Sequence, residues 1–219
     1  MEASKRARGL VVAIDGPAGA GKSTVARAVA KALGLPYVNT GVMYRAVAEA
    51  ALRDGIDPGE AGELEHTAST IEFALDSGHP RALLVDGRPP GPELESPAVE
   101  GAVSLVSSHP AVRAVLRLAQ RRLGEPGAVM EGRDIATVVF PDADVKIFVT
   151  ASPEVRAARR GRQRGDDAAA AAAVERRDVM DARTNPLEPA AGAVVIDSTD
   201  LPEAEVVRRA LEATAGSAS

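Results

Sequence analysis

The chain has 219 residues, 45% hydrophobic and 26% charged, with a formal net charge of −5 and no cysteine. It is long enough to bury a core without staples, and disulfides and thiolate metal centres are excluded. The acidic balance and the presence of only five aromatic residues (Tyr37, Tyr44, Phe73, Phe140, Phe148) argue against a sequence-independent grip on nucleic acid and against base-stacking platforms. The N-terminus is basic (Lys5, Arg6, Arg8), but the apolar run after it is too short for a signal peptide and ends in Asp15. No stretch approaches a bilayer span, so a cytoplasmic protein without a membrane partner is expected.

Residues 10–14 form a β-branched apolar run, the mark of a buried strand. Glycines follow, and beyond them Val25, Ala26, Val29 and Leu33 recur at helical spacing until Gly34 stops the helix. Residues 35–38 predict a second strand and 41–53 a second helix. This alternation predicts an α/β fold with a parallel sheet flanked by helices. Residues 58–100 differ: they carry many of the prolines and two short candidate strands, 71–75 and 81–85, and read as a small β-rich insertion. His109-Pro110 opens a helix to residue 123. Two further strands are expected at 128–130 and 145–150. Residues 152–183 are arginine-dense and include six alanines at 168–173; alanine is the best helix former, so a helical segment is expected. A last strand at 194–196 and a last helix at 202–213 complete the pattern.

Three stretches carry chemistry. Gly16-Pro17-Ala18-Gly19-Ala20-Gly21-Lys22-Ser23 matches G-x4-G-K-S in full, directly after a strand and before a helix. Glycines let successive backbone N–H groups curl around an anion, and the helix N-terminus adds positive charge. Lys22 supplies a mobile cation for the β- and γ-phosphates, and Ser23 a hydroxyl for Mg²⁺. Thr24 extends this loop, so Gly16, Gly19, Ala20, Gly21, Lys22, Ser23 and Thr24 are the expected ATP-phosphate ligands. Lys22 is one of only four lysines, against 22 arginines, so an arginine needs positional support before it is read as a ligand. Asn39-Thr40-Gly41-Val42-Met43-Tyr44-Arg45 places Thr40 and Arg45 at the end of the second strand, and Glu131-Gly132-Arg133-Asp134 places an Arg–Asp pair at the end of another. Ligands of such sheets gather at carboxyl ends of strands. There is no N-K-x-D guanine-reading element, and a short chain with one phosphate loop points to a small-molecule kinase. A kinase of another acceptor, such as AMP or shikimate, and a regulatory module that binds ATP without transfer stay open at this point.

Taken with S-L-V-S-S-H-P-A-V-R (104–113) and E-G-R-D-I-A-T-V-V-F-P-D-A-D-V-K-I-F (131–148), these motifs resemble bacterial cytidylate kinases, in order from about residue 10 to residue 215. The resemblance implies a P-loop three-layer fold with core segments 1–57, 101–151 and 186–219, a monophosphate-binding insertion at 58–100 and a helical lid at 152–185. It implies transfer of the γ-phosphoryl group of ATP, with Mg²⁺, to CMP or dCMP, by a monomer. Residue by residue, Ser104, Arg113 and Asp134 match positions that read cytosine. Arg45 and Arg133 match acceptor-phosphate ligands, Thr40 lies beside the same nucleotide, and Arg177 and Asp181 match residues around its sugar. Arg156, Arg159 and Arg160 fall in the lid, where closure would bring one or more of them toward the triphosphate. The run Asp-Ala-Arg-Thr-Asn-Pro-Leu (181–187) is shorter than its family counterpart, and Arg183 is assigned the catalytic phosphate-binding arginine that the family carries there, beside Lys22 and Arg133. Glu131 is given no catalytic role.

Overall fold

Strand β1 (Val11–Asp15) is buried at every position, as a strand is when a sheet is covered on both faces. The computed structural model describes residues 9–78, 81–164, 179 and 187–216. After β1 come α1 (Lys22–Leu33), β2 (Tyr37–Asn39), α2 (Thr40–Arg53) and α3 (Ala61–Thr70). The hairpin strands β3 (Phe73–Leu75) and β4 (Leu83–Val85) lead to α4 (Pro97–Ser108) and α5 (Pro110–Gly124). Then follow β5 (Ala128–Gly132), β6 (Val145–Thr150), α6 (Pro153–Arg164), β7 (Val194–Asp197) and α7 (Glu203–Ala215).

Among the described residues, five strands form one sheet in the order β2-β5-β1-β6-β7, all parallel. Alternation along β1 sorts the core into two layers. Val11 and Ala13 pack with Met43 and Val47 of α2, Val103 of α4 and Leu116 of α5. Val12 and Ile14 pack with Val25 and Val29 of α1 and Val206 of α7. Helices therefore cover both faces, the three layers that the strand–helix alternation predicts. β1 lies between β5 and β6, so its carboxyl end is the point where the sheet's winding reverses, the usual place for a ligand crevice.

The two candidate short strands are present and pair as a hairpin, with Phe73 opposite Val85 in an antiparallel register. It docks on the β2 edge, where the Tyr37 N–H donates to the Arg81 carbonyl at 2.9 Å. The segment is less β-rich than the sequence suggests, because α3 precedes the hairpin and α4 follows it. Helix α3 buries only Leu64, Thr67 and Ala68, too narrow a stripe to announce itself. Helix α4 starts among prolines, yet Ser96 caps it by accepting from the Val99 N–H at 3.4 Å and Pro97 occupies its first turn, where proline belongs. It runs without a break through residues 100 and 101. Of the segment 152–185, only residues 152–164 and Val179 are described; the alanine run 168–173 lies outside the described residues. Among the described residues no helix is long and apolar enough to cross a membrane.

Candidate active site

The turn from β1 into α1 is built on close backbone approach. At Gly16 (φ 146°) a Cβ would lie 1.9 Å from the Val149 carbonyl oxygen of β6, so a side chain there would have to displace the sheet. At Gly19 (φ 78°) it would meet the Arg156 carbonyl oxygen at 2.9 Å. Gly21 caps α1 without a side-chain hydrogen bond, leaving the first helical amides for an anion. Lys22 Nζ curls back to the Pro17 carbonyl at 2.8 Å. Ser23 Oγ donates to Glu131 Oε2 at 2.9 Å, and the Tyr37 hydroxyl donates to Glu131 Oε1. Burial, reinforced by the Glu131 charge, holds the Tyr37 phenol well above its ordinary range, so it stays a donor. Glu131 is 2% exposed. It is named from the sequence without a catalytic role; the signal that it bears on the phosphate loop is an acid at the end of the strand beside β1, in register with Ile14 on one side and Asn39 on the other.

The opposite wall starts where β5 ends. Thr40 Oγ1 donates to the Glu131 carbonyl at 2.8 Å, seating the start of α2 against β5. Arg45 Nη1 reaches the Leu94 carbonyl at 3.4 Å, and Arg133 Nη1 donates to the Gly16 carbonyl at 3.2 Å. Asp134 is 7% exposed. Its Oδ2 accepts from Arg113 Nη2 at 2.7 Å and lies 3.6 Å from Arg117 Nη2; among the described residues nothing donates to Oδ1. Arg117 is a residue the sequence reading missed, although it stands one helical turn beyond Arg113 on α5. Burial, with the nearby Asp134 charge adding to it, pushes the neighbouring Tyr44 phenol up to about 12. Ser104 does not line the cavity; Val103 and Ser107 of the same helix do, and Ser107 Oγ donates to the Ser104 carbonyl at 3.0 Å.

The arginines of α6 divide into two kinds. Arg156 is 5% exposed and absent from the cavity wall; Nε donates to the Ala151 carbonyl at 3.0 Å and Nη1 to the Ala18 carbonyl at 3.3 Å. It braces the phosphate loop from behind, away from the cavity. Arg159 and Arg160 do line the cavity, joined by Arg162. Arg159 donates to Ser198 Oγ at 2.9 Å and to the Ser198 carbonyl at 2.8 Å, and Ser198 Oγ donates in turn to the Thr150 carbonyl at 2.9 Å. Arg160 pairs with Glu100 of α4. Arg177, Asp181 and Arg183 lie outside the described residues.

Between these walls lies one cavity of about 1290 Å³, larger than the roughly 300–1,000 Å³ typical of a single small-molecule site. Among the described residues its wall holds eight cationic side chains and four carboxylates, in a protein of net charge −5. The positive potential is thus concentrated where polyanions would enter. The phosphate loop and the Arg133–Asp134 pair share this space, so two phosphorylated ligands can meet there.

The sequence profile of the cytidylate kinase family matches residues 12–215. The cytidylate kinase of Mycobacterium avium (strain 104) is 47% identical over 210 residues, covering 90% of this chain and 92% of its own. That of Rhodococcus opacus (strain B4) is 45% identical over 213 residues, covering 92% and 93%. A gluconokinase structure from Sinorhizobium meliloti 1021 superposes with a TM-score of 0.52 over 96% of this chain and 93% of its own; at 19% identity it speaks for the fold alone. The cavity that joins a phosphate loop to an arginine-held carboxylate, and similarity along nearly the whole chain, lead to one assignment: the chain belongs to the cytidylate kinase family.

Proposed function

We propose that this protein transfers the γ-phosphoryl group of ATP to CMP or dCMP, giving ADP and CDP or dCDP. The observation that carries the acceptor's identity is the state of Asp134. Arg113 takes one carboxylate oxygen at 2.7 Å and the other is left for a donor in the cavity. Cytosine presents an amino donor at C4 where uracil presents an oxygen. A uracil base would leave a nearly buried carboxylate facing an acceptor, which is costly. Arg113 and a serine of α4, Ser104 or Ser107, are the candidates for the O2 and N3 edge.

The attacking atom is a phosphate oxygen of the acceptor, ionised near neutral pH, so no general base is required. Positioning and charge stabilisation then do the chemistry. In this reading Lys22 and the loop amides hold the ATP phosphates, Arg45 and Arg133 clamp the acceptor phosphate, and Arg159 and Arg160 approach from α6. Arg177 and Asp181 serve the acceptor's sugar, and Arg183 the transferred group. The Ser23 hydroxyl backed by the buried Glu131 carboxylate is a set of hard oxygens that fits Mg²⁺, which takes few protein ligands and keeps its waters. Ser23 would hold the ion, which when bound neutralises charge on the β- and γ-oxygens. The segment 58–100 serves as the acceptor-binding insertion and 152–185 as the lid; a cytoplasmic monomer fits these roles.

The test is ADP release from Mg²⁺–ATP with CMP, dCMP, UMP, AMP and shikimate offered separately to wild type and Asp134→Ala. Strong turnover with CMP and dCMP alone is expected of wild type. The variant should lose about 100-fold in kcat/KM for CMP and change little for UMP, with the KM for ATP within about twofold. An unchanged preference in the variant would sink the assignment of Asp134.

A further inference from the structure

We propose that Asp15 is a positioning residue for acceptor choice: one buried carboxylate at the start of the phosphate loop fixes the backbone that presents Asp134 to the acceptor base. This rests on the reading of Asp134 given above.

Asp15 is the last residue of β1 and is 4% exposed. Its side chain does not face the cavity. Oδ1 accepts from the Ile135 N–H at 2.9 Å and Oδ2 from the Ala136 N–H at 2.7 Å, so both oxygens grip the two residues that follow Asp134. The ladder places Asp15 opposite Gly132, and Arg133 returns to the Gly16 carbonyl. The segment 132–136 is thus tied on both sides of Asp134 to the first residues of the phosphate loop. Burial pushes the Asp15 carboxyl up to about 6; the two amides and Lys22 work against that and Asp134 works with it. A buried acid is an expensive way to hold two amides that water or a neutral side chain could satisfy. What the carboxylate alone supplies is two acceptor oxygens in fixed geometry, and so a single placement of the Asp134 backbone. A donor-side role would couple Asp15 to ATP; this geometry couples it to the base of the acceptor.

The experiment is steady-state kinetics of Asp15→Asn with CMP, UMP and ATP varied in turn, beside wild type and Asp134→Ala. Asparagine keeps the volume and one acceptor oxygen but sets the NH2 donor of its carboxamide against the second backbone N–H. The expected result is a fall of about tenfold in the CMP-over-UMP ratio of kcat/KM, carried mainly by KM for CMP, with KM for ATP within about twofold. Should Asp15→Asn fail to fold, Asp15→Glu, which keeps the charge but overshoots both amides, is measured for the same ratio. A preference unchanged in the folded variant, or ATP and CMP parameters that decline together, would overturn the proposal. If Asp134→Ala also keeps the preference, the reading of Asp134 falls and this inference with it; if Asp134→Ala loses it and the Asp15 variants do not, this inference alone fails.

Discussion

At Asp15 the cost of the site can be read as a dependence of stability on pH. Burial raises its carboxyl from an ordinary value of 3.8 to about 6 in the folded protein. A carboxyl raised on folding contributes stability that is fully present below about pH 4 and is lost as the pH climbs through about 6. The difference amounts to about 3 kcal/mol, so the folded state keeps an ionised Asp15 at neutral pH only against that expense. Asparagine at this position cannot titrate. Chemical denaturation of wild type and Asp15→Asn between about pH 4 and about pH 8 should therefore show the wild type losing about 3 kcal/mol relative to the variant, most of it between about pH 4 and about pH 6, with the difference level above that. A difference that stays level across the range would mean that Asp15 is ionised as easily as in the unfolded chain.

At the scale of elements, Arg156 shows how the phosphate loop is held from a neighbouring helix. It joins the root of α6 to the carbonyls of Ala151 and Ala18, and the Gly19 turn leaves no room for anything but that arginine's backbone behind it. Arg156→Met would fill the stem's volume and strip two buried carbonyls of their donor. Thermal or chemical denaturation should register a loss of about 2–4 kcal/mol, and KM for ATP should rise about fivefold while KM for CMP holds; a loss below about 0.5 kcal/mol would place Arg156 among ordinary surface arginines. Nothing in the spacing of Arg156, Arg159 and Arg160 distinguishes the brace from the two that face the cavity, because which way a helix face turns is decided by its packing. The same limit explains α3: its stripe of Leu64, Thr67 and Ala68 is anchored by only one large apolar side chain. By contrast, the phosphate loop, the strand Val145–Thr150 and the helix begun at Pro110 were legible, since each is written in local rules of glycine, alternation and capping. The Arg113–Asp134 pair came from resemblance, and only the structure adds Arg117 beside it and Ser107 in place of Ser104 on the cavity wall.

For the whole molecule, the proposed function sets the ATP side and the acceptor side of the cavity on opposite sides of β1, and the pair between Arg160 of α6 and Glu100 of α4 joins helices from the two sides. Both side chains are largely covered, at 13% and 14% exposure, so the pair is not a solvated surface contact of negligible worth. Arg160 also lines the cavity, where it meets any polyanion that enters. Glu100 and the nucleotide phosphates then compete for one guanidinium. Removing the competitor's charge has two consequences of opposite sign. Glu100→Gln removes one charged partner of a largely covered guanidinium, which should lower stability by about 1–3 kcal/mol. The same guanidinium becomes more available to phosphate, so calorimetric titration should find ATP bound about threefold more tightly. The two effects together would identify the pair as a contact that the protein gives up as it fills. Weaker ATP binding would instead mean that α4 must hold α6 in place for the donor site to form, and that Glu100 stabilises the loaded state rather than the empty one.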